Sequence, residues 1–218
     1  MNDLLTAAAG DLTSIVGGLL IGFACGSIPF GYLLVRLTTG ADVRRAGSGN
    51  IGATNVSRSL GLKGGVLTLL LDAAKGAAGV AGAAWIGVSW LGIEQAAWPW
   101  AGALGAVLGH CYTPWLRLRG GKGVATLLGA FGIAAPGPAL AAAVTLLLVA
   151  TVSRMMSAAS LCGALLLPAA IWWWRAPSYP GYGVAAALLA AIVIVWRHRA
   201  NIGRIARGEE RRLGSAGA

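Results

Sequence analysis

The sequence predicts an all-α polytopic membrane protein of about seven transmembrane helices, and three observations predict it. Hydrophobic residues fill 57% of the 218 positions and charged residues 11%, with a mean hydropathy of +0.73, so the chain lacks the polar surface that a water-soluble globule needs. The apolar residues fall in runs long enough to cross about 30 Å of hydrocarbon. Basic residues collect in the short connections between those runs, where they read as orientation signals.

Residues 12–35 form the first run. No basic residue precedes it and no small-residue cleavage site follows a short core, so it reads as a retained span rather than a signal peptide. Residues 65–90 form the second, with Asp72 and Lys75 three apart inside it. Ionisable groups in hydrocarbon are costly enough to pair or to face a polar cavity, and structural pairing is the favoured reading here. The third run, 98–116, carries His110, either a packing residue or an interfacial base. Residues 124–152 exceed one span and are broken by Ala135-Pro136-Gly137-Pro138, which cannot continue a regular helix. Runs 157–174 and 182–196 complete the set.

Charge decides how 124–152 is divided. With one helix there, either the loop carrying Arg44, Arg45 and Arg58 or the tail carrying Arg197, Arg199, Arg204, Arg207, Arg211 and Arg212 faces outside. Two helices, 124–134 and 140–152, put both inside. The expected topology therefore has the N-terminus outside, the C-terminus in the cytoplasm, and only Arg175 in an external loop. No repeat or second soluble region is visible, so residues 1–218 read as a single helical membrane domain. Ile202 and Ile205, set among basic residues, suit a short helix lying on an anionic membrane surface.

Lys and Arg outnumber Asp and Glu by 17 to 7, but no basic soluble domain exists to bind nucleic acid. The charge suits membrane orientation and anionic substrates. Cys25, Cys111 and Cys162 are odd in number and lie in separate apolar runs, which argues against a disulfide framework. No carboxylate or His/Cys cluster has ligand spacing, so neither a metal nor a cofactor is expected.

Three clusters on the expected cytoplasmic side can carry chemistry. The first is Gly47-Ser48-Gly49-Asn50-Ile51-Gly52-Ala53-Thr54-Asn55, where glycines permit positive φ and free several N–H groups to converge on an anion; a plain polar connector is the alternative. The second, Gly120-Gly121-Lys122-Gly123, stands directly before an apolar helix, a favourable position for phosphate; an ordinary positive-inside loop is the alternative. It lacks the GxxxxGK[ST] spacing of a nucleotide loop. In the third, Arg197, His198, Asn201 and Arg204 end the last span, where they hold an anionic head group or are snorkelling arginines that end a helix; His198 and Asn201, which share one helical face, favour the former. Ser153 and Ser157 flank Arg154 in another inward turn, where Ser157 either lines the same site or caps the following helix.

These pieces, together with Gly26-Ser27-Ile28-Pro29-Phe30-Gly31, Asp72-xx-Lys75-Gly76, Gly109-His110 and His198 through Gly208-Glu209, resemble the bacterial acyl-phosphate:glycerol-3-phosphate acyltransferase family in order and spacing. The resemblance runs from about residue 26 to 212. It implies a compact seven-helix enzyme of the bacterial inner membrane that transfers a fatty acyl group from acyl phosphate to the 1-position of glycerol 3-phosphate, giving lysophosphatidic acid. It implies catalytic roles for Ser48, Lys122, His198 and Asn201. Substrate contacts are expected from Gly47, Gly49, Asn50, Thr54, Asn55, Arg58, Gly120, Gly121, Gly123, Ser157 and Arg204. The partners are the two phosphorylated substrates and membrane lipid, with no nucleic acid; a monomer is expected and an oligomer left open. One departure stands out: the family places proline directly after the tyrosine that follows Gly-His, whereas here Tyr112 is followed by Thr113 and then Pro114.

An H-x4-D arrangement is absent, since Pro114 stands four after His110 and Ile202 four after His198. Acyltransferases that use thioesters resemble that pattern, so a different donor is favoured. The rival reading from another class is a transporter for a phosphorylated small molecule, suggested by intramembrane Asp72 and Lys75 and by broken helices.

Overall fold

The computed structural model describes residues 2–89, 97–174, 179 and 181–214, with side chains from residue 12 onward. Trp90 and Arg175 lie outside the described residues. Those described form helices α1 (Asn2–Gly26), α2 (Phe30–Thr39), α3 (Ala53–Ser89), α4 (Trp98–Cys111), α5 (Val124–Ala134), α6 (Pro136–Ser153), α7 (Met156–Trp173), α8 (Gly181–Arg197) and α9 (Arg199–Ala206), with no strand. Four helical stretches are long and apolar enough to cross a membrane: Leu12–Thr39, Ala53–Ser89, Pro136–Ser153 and Met156–Trp173. Helices α8 and α9, bent by 61° from one another, meet the same length and hydropathy only when taken together. At 14 and 11 residues, α4 and α5 are shorter than the roughly 20 residues a straight crossing takes.

The run 12–35 is not one helix. Pro29 has no N–H and pushes the preceding residue out of helical conformation, so the chain breaks at residues 27–29. Carbonyls freed in an apolar setting need partners, and they find them. Thr113 Oγ1 donates to Ser27 O at 2.5 Å and Lys75 Nζ to Ile28 O at 2.7 Å. The displaced proline noted above explains Thr113: α4 ends at Cys111, and Pro114 opens a 3-10 turn that aims Thr113 at the break. A second difference concerns α3, which starts at Ala53, well before the expected span. It passes through a non-helical Gly61 (φ 68°). The Pro-Gly-Pro stretch does separate two helices, at Ala135, with Pro136 in the first turn of α6, where its missing N–H costs nothing.

Small residues set the packing. A Cβ added to Gly22 or Gly26 of α1 would strike the carbonyl of Gly102 or Ala106 on α4, and one on Gly105 or Gly109 would strike that of Leu19 or Phe23. Pairs advance together along both helices, so α1 and α4 run parallel in backbone contact, which maximises dispersion where lipid supplies no hydrophobic drive. On α3 the order reverses, with Gly79 at Ala106 and Gly87 at Trp98. Helix α8 follows the direction of α4, from Gly183 against Trp100 to Arg197 over the Tyr112 ring. The C-terminal ends of α1, α4 and α8 therefore meet the start of α3 on one side of the bundle. The α6–α7 turn is tied to the chain's tail there, Leu213 N–H donating to Arg154 O at 2.7 Å.

Inside the bundle, Asp72 and Lys75 pair at 2.8 Å, both buried. His110 lies 3.6 Å from Asp72 Oδ1 through Nδ1 and 3.2 Å from Thr126 Oγ1. With Lys75 also donating to Ile28 O, this cluster joins the α1–α2 break to α3, α4 and α5. His110 is thus a packing residue with polar partners, not an interfacial group open to solvent.

Candidate active site

The first loop is shaped by Asn55, in the opening turn of α3. Its Nδ2 donates to the carbonyls of Val43 (2.9 Å), Ala46 (3.1 Å) and Asn50 (2.8 Å), and Oδ1 accepts from Ser48 N–H (2.8 Å). A buried carboxamide so engaged folds the loop around itself and has little left to offer a ligand. Asn50 is similarly used, its Oδ1 accepting from Gly52 N–H at 3.2 Å. Gly47 has φ +59°, and a Cβ there would collide with Asn55 Oδ1; Gly49 also has positive φ. The side chains of Ser48 and Thr54 are exposed on this loop, and Arg58 stands one turn along α3.

The second loop is pressed against the end of α4. Gly120 N–H and Gly121 N–H donate to Cys111 O (3.2 Å) and His110 O (3.0 Å). Both positions exclude a side chain: a Cβ on Gly120 would meet the His110 carbonyl, and one on Gly121 the His110 Nε2. Arg197 closes the loop from the other side, Nε donating to Gly121 O at 2.9 Å and Nη2 to Gly120 O at 2.7 Å. Gly123 (φ +85°) then turns the chain into α5 with no side-chain cap. Among the described residues, the N–H groups of Lys122, Gly123, Val124 and Ala125 make no backbone hydrogen bond, which leaves a helix N-terminus with donors to spare for an anion.

The third cluster meets the second directly. Lys122 Nζ donates to Asn201 Oδ1 at 2.6 Å, Asn201 Nδ2 to Glu210 Oε1 at 2.7 Å, and Arg204 Nε to Glu210 Oε2 at 2.7 Å. His198, at the α8–α9 bend, is buried, and its Nδ1 lies 2.8 Å from Ile194 O. Nδ1–H donating to that carbonyl leaves Nε2 as an acceptor. Ser157 Oγ, beside Glu210, is buried without a hydrogen bond of normal geometry, the only buried side-chain polar atom so left among the described residues.

Positive charge dominates the electrostatics. Burial, together with Arg204, Arg197 and Arg58 and opposed by Glu210, brings the Lys122 ammonium down to about 8. Burial and the neighbouring Lys122 bring His198 down to about 4, so its imidazole is neutral at pH 7. Burial pushes Glu210 up, but hydrogen bonds from Asn201, the adjacent Ser157 hydroxyl and Arg204 outweigh it and hold the carboxyl below its usual range. Arg58, on α3, donates to Asn55 Oδ1 at 3.5 Å, and its charge is among those that lower Lys122.

Lys122, His198, Asn201, Arg204, Ser157 and Arg58 are thus gathered together, with Gly120, Gly121 and Gly123 as the wall. Ser48 and Thr54 have no hydrogen bond or ion pair to this group among the described residues, and Asn50 and Asn55 build the loop rather than face outward. Sequence reasoning missed Glu210. It singled out Gly208-Glu209, yet Gly208 (φ +71°) turns the chain so that Glu209 pairs with exposed Arg207 at 2.8 Å and Glu210 enters the cluster. The doubled Glu was the signal to weigh. Arg197 stood in the third cluster, but its grip on the carbonyls of Gly120 and Gly121 and its contact with the Tyr112 ring were not foreseen.

A glycerol-3-phosphate acyltransferase family model matches residues 16–208. The glycerol-3-phosphate acyltransferase of Myxococcus xanthus is 48% identical over 195 residues, covering 89% of this chain and 97% of that one. That of Anaeromyxobacter sp. strain K is 44% identical over 201 residues, covering 91% and 98%. Among solved structures, the chain is similar to PlsY (YgiH), an integral membrane glycerol 3-phosphate acyltransferase. Its glycerol 3-phosphate form gives a TM-score of 0.78 at 35% identity over 94% of this chain and 96% of that one. Its lysophosphatidic acid form gives 0.74 at 34% identity over 94% and 95%. On this match along nearly its whole length, the chain belongs to the glycerol-3-phosphate acyltransferase family and is an integral membrane protein of helices.

Proposed function

We propose that the chain transfers a fatty acyl group from acyl phosphate to the 1-hydroxyl of glycerol 3-phosphate, releasing phosphate and lysophosphatidic acid at the cytoplasmic face of a bacterial inner membrane. The observation that carries the reading is the excess of anion-binding groups at one place: Lys122, Arg58 and Arg204 beside the unpaired N–H groups opening α5, with a single carboxylate, Glu210, among them. Two phosphorylated substrates account for that excess.

In this reading the 120–123 loop and Lys122 hold the donor's phosphate, and Ser48 closes over it from the first loop. Arg58, Arg204 and the Ser157 hydroxyl beside Glu210 take the phosphate of glycerol 3-phosphate, and His198 Nε2 accepts a hydrogen bond from the 2-hydroxyl, which orients the reacting 1-hydroxyl. The hydroxyl oxygen attacks the acyl carbon, the acyl C–O bond to phosphorus breaks, and the hydroxyl proton passes to the departing phosphate. A histidine of pKa about 4 is a weak base at neutral pH, which supports the donor's own phosphate oxygen as proton acceptor. The leaving group is already a stable anion. Positioning and charge stabilisation then carry the rate, and alignment alone supplies roughly 7–11 kcal/mol in favourable systems.

The shared direction of α1, α4 and α8, opposite to α3, supports the expected seven-crossing topology, with α4 and α5 as short crossings, the N-terminus outside and the basic face in the cytoplasm. Monomeric function within one helical membrane domain is part of this reading. The test uses purified protein, labelled glycerol 3-phosphate and, separately, palmitoyl phosphate, palmitoyl-CoA and palmitoyl carrier protein. Product from acyl phosphate alone is expected. Product from a thioester would overturn the donor, and no product from folded protein, with uptake of a phosphorylated solute into vesicles, would favour transport.

A further inference from the structure

We propose that Arg197 is a positioning residue of this reaction: it locks the carbonyls of Gly120 and Gly121 outward so that the following N–H groups and Lys122 present only positive ends to a bound phosphate. The inference rests on the reading of the 120–123 loop as a phosphate site.

An anion is held by N–H groups only if the intervening carbonyls point elsewhere, because a carbonyl oxygen turned toward phosphate repels it. In this loop each backbone group near the turn has an assigned partner. The N–H groups of Gly120 and Gly121 are fixed on the end of α4, and their carbonyls are fixed by the two forks of one guanidinium, at 2.7 and 2.9 Å. That guanidinium lies 5.5 Å from the Tyr112 ring centre, a stacking contact that aims it. From below, His110 leaves no room at Gly121 for anything larger than hydrogen. The loop is therefore gripped on both sides, and the N–H groups left over are those of residues 122–125. Arg197 uses both of the donors that face the loop and does not belong to the group proposed to touch substrate.

Two adjacent carbonyls are a target for a planar fork and not for a point charge. Arg197→Lys keeps the charge and loses the second bond, so it separates geometry from electrostatics. The proposal expects kcat/KM for palmitoyl phosphate to fall by about 10²-fold in Arg197→Lys and similarly in Arg197→Gln, with inhibition by inorganic phosphate weakened in parallel. Tyr112→Leu, which leaves the guanidinium unaimed, is expected to give a smaller loss, and Tyr112→Phe none. The pH profile supplies a readout that a packing defect would not move. Lys122 faces Arg58, Arg197, Arg204, Glu210 and neutral His198, so removing one cation in Arg197→Gln shifts the alkaline limb of its remaining activity upward, whereas Arg197→Lys leaves it in place.

The experiment measures these constants and melting temperatures for wild type and all four variants in the same detergent. Wild-type activity with full kcat/KM in Arg197→Lys overturns the proposal. So does a loss in the Arg197 variants accompanied by a collapsed melting temperature when folded Tyr112→Leu retains wild-type phosphate inhibition, since Arg197 is then structural. Absence of product from wild type itself would instead refute the assigned reaction.

Discussion

The molecule holds two polar clusters about one helix end apart, and they are built on opposite accounts. In the inner one, Asp72, Lys75, His110 and Thr126 satisfy one another, with Lys75 also capping the broken α1–α2 junction. In the outer one, Lys122, Asn201, Glu210 and Arg204 are bonded in a chain, yet donors remain in the N–H groups opening α5. A closed set of partners stabilises a fold; a set with unmatched donors of one sign awaits a ligand. Residue type alone does not distinguish them, because each cluster pairs a lysine with a carboxylate nearby.

The sharpest way to break this comparison is to delete the lysine from each. Lys122→Ala is expected to lower kcat by about 10³-fold or more, the scale for losing a preorganised charge at the reacting group, while the melting temperature in detergent holds. Lys75→Ala is expected to do the reverse, costing about 3–5 kcal/mol of stability because Asp72 loses its lysine partner inside the bundle and keeps only His110. Thermal unfolding read with residual activity per folded molecule checks both. If Lys75→Ala were stable and inactive, the inner cluster would belong to the site. Pairing Asp72→Asn with Lys75→Met should recover much of the stability, since the buried charge then disappears with its partner.

A smaller effect separates the two histidines. His198→Ala is expected to reduce kcat by about 10²-fold, with glycerol 3-phosphate binding, measured calorimetrically, preserved within a few fold. A loss large enough to abolish the chemical step with binding intact would move the proton acceptor from the donor's phosphate to His198. His110→Ala should instead lower stability, because it opens a cavity beneath Gly121 and strips a partner from Asp72.

Much of this arrangement was legible before any coordinates. Glycine runs, a lysine before an apolar helix and the spacing of His198 and Asn201 named the site because they are local patterns whose chemistry does not depend on distant packing. The helical class followed from hydropathy for the same reason. Contacts made across the bundle were not legible. Asn55 resembles a ligand in sequence, and only the folded loop shows its carboxamide committed to Val43, Ala46 and Asn50. Arg197 is one arginine of a basic tail until the end of α8 is set beside residues 120 and 121. The broken first run was signalled by Pro29, but its rescue by Thr113 and Lys75 brings together residues far apart in the chain.

Titration offers a milder test of the outer cluster. Lys122 carries its charge below its pKa of about 8 and loses it above, so kcat/KM, which reports the free enzyme, should decline as pH rises through that value. A bound phosphate raises the lysine's pKa, so kcat itself should stay level to higher pH. Lys122→Arg, which remains protonated throughout, should lack the alkaline decline even if its rate is lower. An alkaline limb that survives in Lys122→Arg would assign it to another group.

The smallest contrast lies between neighbours in sequence. Glu210 is nearly enclosed and receives hydrogen bonds from Asn201 and Arg204, whereas Glu209 and its partner Arg207 are more than half exposed. Glu209→Gln should leave activity and melting temperature unchanged, as expected for an exposed ion pair screened by solvent. Glu210→Gln keeps the shape but removes the one negative charge among Lys122, Arg204, Arg197 and Arg58. Its effects should oppose one another: unpaired Arg204 repels Lys122 and brings the alkaline limb of kcat/KM to lower pH, while phosphate, meeting less negative charge, binds more tightly below it. A crossing of the wild-type and Glu210→Gln profiles near neutrality is the expected result. Parallel profiles would mean that Glu210 only shapes α9 and that the cluster's charge balance is set elsewhere.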